Sequence, residues 1–171
     1  MDTFFEQIVA IRKTEKTLFA VIGIWLLAVL LAAFILLLGL SFSPAIALLL
    51  VCGIFYGTYK LTGRFSIEYE YIITNGTMDV DKIVSKSSRK RVLSFELQTV
   101  SRLEKFQSAQ LNSINSKDLT VACNLNDPDA YLMVAENEGK GSVFLVFAPD
   151  ERIRGAIVKF IPKFLANHAF Q

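Results

Sequence analysis

The densest run of chemically active side chains is basic. Lys82, Lys86, Arg89, Lys90 and Arg91 fall within ten residues. Asp79 and Asp81 stand just before them, two apart and so on one face if the segment is a strand. Cations at this density suit anionic lipid headgroups. Each is worth about 1 kcal/mol near an acidic leaflet, decaying over a Debye length of roughly 8–10 Å. A solvated loop, its charge partly offset by the two aspartates, is the competing reading. Nothing beyond their spacing marks Asp79 and Asp81 as an acid/base pair.

The remaining reactive residues are isolated. His168 is the single histidine and has no partner near it in sequence, so it reads as structural. Asp127 and Asp129 flank Pro128 as turn formers; the further ligands a calcium loop needs are missing. Asn75-Gly-Thr77 matches a glycosylation acceptor, but a tight hairpin explains the same residues. Cys123 lies in an apolar, alternating segment and reads as a small core residue, while Cys52 falls in an apolar run. Two thiols so placed do not pair, which suits a reducing compartment. The expectation is therefore a non-enzyme, with no catalytic residue, cofactor or metal site assigned. A net charge of +2 gives no support for a nucleic-acid partner.

What positions these residues is a stretch from Thr17 to Tyr59 that holds none of the 18 Lys+Arg or 16 Asp+Glu. It raises the mean hydropathy of the 171-residue chain to +0.43. Residues 17–40 are long enough to cross a hydrocarbon core of about 30 Å at about 1.5 Å per residue. Gly39-Leu-Ser-Phe-Ser-Pro44 interrupts the helix, with Ser43 as the next cap and Pro44 in the first turn. Residues 44–60 then form a second, short span, so residues 17–60 make a transmembrane hairpin in the lipid bilayer. A single span followed by a re-entrant helix is the alternative. Ala45, Leu49, Gly53 and Gly57 form one stripe, and Ala28 and Ala32 a matching small surface, so Ala28, Ala32, Gly53 and Gly57 are expected to pack the helices or join a second copy. Arg12, Lys13 and Lys16 precede the hairpin, and Lys60 and Arg64 follow it. The turn between has no Lys or Arg. Positive-inside bias then puts both flanks, and both termini, on the cytoplasmic side of a bacterial inner membrane. The run is too long for a signal peptide, and three acids precede it. Residues 1–16 carry Phe4, Phe5, Ile8, Val9 and Ile11 near helical spacing, which predicts an amphipathic helix on the membrane surface or packed on the soluble part.

After Lys60 the period shortens to two. Phe65 to Thr74 alternates, Asn75-Gly76 signals a two-residue hairpin turn, and Thr77 to Val84 returns. Further strands are predicted over Arg91–Leu97, Val100–Phe106, Leu119–Leu125, Ala130–Glu136 and Ser142–Phe147. A helix over about 150–167 carries Ile153, Ala156, Ile157, Phe160, Ile161, Phe164 and Leu165 on one face, with a break at Pro162.

Seven strands followed by one amphipathic helix is the element order of a pleckstrin-homology-like (PH-like) barrel. Tyr69-Glu-Tyr-Ile-Ile-Thr-Asn-Gly-Thr-Met-Asp-Val80 resembles the opening hairpin of bacterial membrane-anchored PH-like domains, and Arg91-Val-Leu-Ser-Phe-Glu-Leu-Gln-Thr-Val100 their third strand and its sequel. The whole chain resembles a group of small bacterial two-pass membrane proteins with a cytoplasmic PH-like domain. That resemblance implies an α+β membrane protein: a two-helix hairpin, then a seven-stranded barrel over residues 65–171 with a capping helix. It implies an interaction module for a protein partner or anionic headgroups, or an accessory subunit of a membrane complex. It carries over no ligand residue, and the tight Asn75-Gly76 turn lacks the long basic loop of eukaryotic phosphoinositide sites.

Overall fold

The computed structural model describes residues 3–115, 117–137, 141–167 and 169–170. The chain divides into two compact units, residues 12–66 and residues 1–11 with 67–171.

The first unit is a helical hairpin, α1 (Glu15–Phe42) and α2 (Pro44–Gly63). Ser43 adopts extended backbone between them and closes the turn through its main chain, its N–H donating to the Gly39 carbonyl at 2.9 Å; the expected side-chain cap does not form. Both helices are long and apolar enough to cross a membrane, over Glu15–Gly39 and Pro44–Gly63. The second runs three residues past Lys60, to 20 residues. At about 1.5 Å per residue that is roughly 30 Å, so its expected shortness disappears. Lys60 lies in the last turn, where a cation is favoured by the helix dipole.

The helix–helix surface is narrower than the expected stripes. Ala28 and Ala32 are buried on α1, and Ala47, Val51, Thr58 and Thr62 on α2. Trp25 stacks on Phe55 with ring centroids 6.3 Å apart. Gly53 and Gly57 face away, and a Cβ added to either meets nothing within 4 Å. The glycine that admits close approach is Gly39, where an added Cβ would overlap the Ala47 Cβ.

The second unit holds eight strands in two four-stranded sheets. Sheet A is ordered β1-β2-β3-β4, from β1 (Phe4–Ala10), β2 (Ile67–Thr74), β3 (Thr77–Val84) and β4 (Ser88–Glu96), all antiparallel. Sheet B is ordered β5-β7-β8-β6, from β5 (Val100–Lys105), β6 (Leu119–Val121), β7 (Tyr131–Asn137) and β8 (Gly141–Phe147). β6 joins parallel to β8; the other pairs are antiparallel. The predicted seven-stranded barrel is therefore corrected twice. An eighth strand is present, and β4 and β6 remain edges, so the barrel is not closed.

The extra strand is β1, in place of the predicted surface helix. Aromatic and β-branched residues at Phe4, Phe5, Ile8 and Val9 fit a pleated surface as well as a helical stripe. Pairing with β2 decides between them. The register runs from Phe4 opposite Thr74 to Ala10 opposite Glu68, and continues with the Ile11 N–H on the Ile67 carbonyl at 3.0 Å. The helical hairpin is thus spliced into the connection between two paired strands.

Inward residues of both sheets make one core, with Tyr71, Ile73, Met78 and Val80 facing Leu103, Met133, Leu145 and Phe147. α3 (Glu151–Phe160) contributes Ile153, Ala156 and Ile157, and α4 (Lys163–Ala166) follows the expected break at Pro162. Asn75 and Gly76 take φ of 50° and 92°, the left-handed pair this turn requires. Gln7 ties β1 to α3: its amide nitrogen donates to the Ala148 carbonyl at 3.1 Å, and its oxygen accepts from the Asp150 N–H at 2.8 Å.

Replacing Arg12–Ser66 with Asn-Gly should therefore give a folded, water-soluble domain with cooperative thermal unfolding. A chain beginning at Phe65 lacks β1, and with it the Gln7 hydrogen bonds to the Ala148 carbonyl and Asp150 N–H and the core contacts of Phe5 and Val9. It should melt lower or fail to fold, which circular dichroism will read.

Candidate interaction site

The basic residues sit on β3, β4 and the turn between them, but they do not form one patch. β3 alternates strictly: Met78, Val80 and Lys82 share the inward side, Asp79, Asp81 and Ile83 the outward side. In β4 the register shifts, with Val80 opposite Leu93 and Asp81 opposite Arg91, leaving Val92 as the extra residue of a bulge. The bulge places Arg91 and Arg89 on the outward face with the acids. Arg91 contacts Asp79 at 3.0 Å and Asp81 at 3.1 Å, and Ser94 donates to Asp79 at 2.6 Å. Arg89 lies 2.9 Å from both carboxylate oxygens of Glu70. These two arginines are balanced by carboxylates on their own sheet.

The lysines lie elsewhere. Lys82 stands opposite Lys90 on adjacent strands, a like-charge pairing that destabilises a sheet. Among the described residues no salt bridge joins either to a carboxylate. Lys86 is in the turn, where Ser85 and Lys86 both take positive φ, 56° and 55°. Neither is glycine, so the turn is held at a local conformational cost of about 1–2 kcal/mol per residue. A depression of about 330 Å³ beside it is lined by Ile8, Glu68, Ile83, Lys86, Ser87 and Arg89.

Glu70 was not singled out by the sequence. It is fully buried on the outward face of sheet A, beside Glu6, Asp81 and Arg89. Burial raises its carboxyl above the ordinary range, and a hydrogen bond with the Glu6 side chain raises it further; Arg89 pulls the other way. The alternation Glu68-Tyr-Glu70 announces an outward face. Nothing local announces that neighbouring side chains will cover it.

The other reactive groups have structural roles. Burial pushes the Cys123 thiol up to about 12, which makes it inert. Tyr71 is fully buried, donates to the Ala122 carbonyl at 2.7 Å, and is raised by the same desolvation. Asp127 accepts from the Asp129 N–H at 3.0 Å, as a turn former does, and Asp129 pairs with Arg154 at 3.0 Å. Asn75 accepts from the Thr3 N–H at 3.0 Å. Cys52 is exposed on α2. His168 lies outside the described residues. Among the described residues no group of three or more His, Cys, Asp or Glu could hold a metal ion.

Two β-sheets packed on a C-terminal helix define a PH-like fold, in a chain that also carries two helices long and apolar enough to span a bilayer. The chain belongs to the family described as Bacterial PH-like domain (DUF6106), whose profile matches residues 1–167. The match takes in β1 and both apolar helices along with the β-domain. No curated protein and no solved structure matches the chain significantly.

A raised acid pKa contributes stability below the ordinary carboxylate range, and that contribution is lost as pH rises through the raised value. Glu70→Gln removes the titration while keeping the shape. The thermal midpoint of the wild type relative to Glu70→Gln should therefore fall as pH rises from the ordinary carboxylate range through the raised value. A difference that stays flat across that range would show that Glu70 does not titrate there.

Proposed function

We propose that this protein is a membrane-anchored, non-enzymatic interaction module, its PH-like domain held at the cytoplasmic face of a bacterial inner membrane to contact anionic headgroups or a protein partner. One observation carries the reading. Ile67 pairs with Val84, and Ala10 with Glu68, so the Ser85–Ser87 turn lies at the end of sheet A where the chain departs for the apolar helices and returns. Only residues 11–14 separate β1 from α1, and residues 64–66 separate α2 from β2. Tethered contact is effectively intramolecular, so weak individual interactions suffice. The geometry favours Lys82, Lys86 and Lys90 as the lipid-facing cations over Arg89 and Arg91, whose charge is met by Glu70, Asp79 and Asp81. Orientation rests on the basic flanks Arg12, Lys13, Lys16, Lys60 and Arg64 around an uncharged turn.

In the hairpin-replaced protein, changing Lys82, Lys86 and Lys90 to Ser should weaken binding to vesicles containing anionic lipid. At about 1 kcal/mol per lysine, the loss is roughly two orders of magnitude at low salt. Changing Arg89 and Arg91 should instead lower the melting temperature, by leaving buried carboxylates unpaired. Undiminished vesicle binding by the lysine variant removes the lipid arm.

A second reading, an accessory subunit assembled through the hairpin, is favoured by the outward stripe Ala45, Leu49, Gly53 and Gly57. Since nothing packs on an added Cβ there, Gly53→Leu with Gly57→Leu leaves the intramolecular hairpin intact. A lower mass for this variant on native gels of solubilised membranes supports assembly through that face; an unchanged mass counts against it.

A further inference from the structure

We propose that the open seam between β4 and β6 is a docking slot for an extended, acidic segment of a partner protein, which adds to sheet A as a fifth strand beside β4. The inference rests on reading the domain as an interaction module and names its partner class.

β4 and β6 are the edges of their sheets, and the two sheets fail to close between them. The gap is a cleft of about 450 Å³, lined on one side by Arg91, Val92, Leu93 and Ser94 and on the other by Lys117, Asp118, Thr120 and Val143. Leu93 and Val143, which both pack against the core, supply the apolar part of the cleft floor among polar neighbours. Its wall is the main chain of a nine-residue edge strand. A row of strand amides and carbonyls over an apolar floor is the chemistry that recognises an extended peptide, the main chain giving affinity and alternate side chains entering the cleft. The bulge leaves Val92 exposed at the rim, a hydrophobic side chain an incoming strand would cover.

The charges choose among occupants. A second copy pairing β4 against β4 in the register centred on Lys90 would set Arg89, Lys90 and Arg91 against the same three residues. Like charges across a sheet oppose that pairing. Lys90 already faces Lys82 across the sheet, and Lys117 lies across the cleft, against the single acid Asp118 on the rim. The surplus favours a segment that alternates carboxylates with β-branched side chains.

The probe is a fluorescent octapeptide of alternating Glu and Val, titrated against detergent-solubilised full-length protein. Saturable binding is expected. Val92→Glu with Lys117→Glu should weaken it at least tenfold, without altering binding to anionic vesicles. N-methylation of the peptide main chain should abolish binding, because strand addition needs its amide donors. Three results would overturn the proposal: no saturable binding, equal binding of the N-methylated peptide, or equal binding of an alternating Glu-Gly peptide, which marks electrostatics alone. Displacement of the peptide by vesicles of anionic lipid would instead assign the seam to lipid and equally overturn it. Loss of peptide binding with vesicle binding intact separates failure here from failure of the lipid arm.

Discussion

The hydrogen bond from the Ile11 N–H to the Ile67 carbonyl closes the arrangement on which the rest depends. It ends a continuous antiparallel register between β1 and β2, strands that flank the entire apolar hairpin. Without it the β-domain would begin after the second helix, and the apolar hairpin would simply precede it. With it the hairpin is an insertion, and the domain is tied to both of its ends. Both linkers are short, residues 11–14 before the first helix and residues 64–66 after the second.

The same pairing explains how the C-terminal helix is held. β1 sends Phe5 and Val9 inward to the core and Gln7 to the start of α3. Asp150 then caps α3 by accepting from the Ile153 N–H at 2.8 Å. The helix that fills the core is thus positioned by a strand at the opposite end of the sequence. The order of synthesis follows from the register: β1 has no partner until the hairpin and β2 have been made. Its aromatic and aliphatic side chains stay uncovered over that interval, a non-local pairing of the slow kind.

Local signals were legible where local chemistry decides the structure. Asn75-Gly76 fixed a hairpin turn because two consecutive positive-φ positions select those residues, and the strand read at Thr77–Val84 stands at those bounds. Pro162 divided the last helix because it lacks an amide donor. Non-local decisions were not legible. Phe4, Phe5, Ile8 and Val9 satisfy a helical stripe and a short strand together, and the partner that settles the matter lies over fifty residues further on. The bulge at Val92 reverses the facing of every earlier residue in β4. A count of alternation carried back from Phe95 therefore sends Arg91 inward when it points outward. Gly53 and Gly57 fit a packing motif in sequence, yet Gly39 makes the close approach, because the turn rather than the mid-helix brings the backbones together.

That single bulge also sorts the charge of the domain. It sets Arg89 and Arg91 over Glu70, Asp79 and Asp81, two cations against three acids on one face. It leaves Lys82 and Lys90 opposed to one another on the other face, with Lys86 between them in a turn of two left-handed residues. The sheet thus carries a like-charge pair and a turn of two left-handed residues beside arginines that contact carboxylates. The uncompensated positive charge is concentrated at one end and along one edge of sheet A, beside the gap where the barrel fails to close. The residues of one basic run thus fall into a carboxylate-paired pair of arginines and a set of lysines without such pairs among the described residues. Arg91 serves the fold by reaching Asp79 through one nitrogen and Asp81 through another, while Lys82, Lys86 and Lys90 join no salt bridge among the described residues.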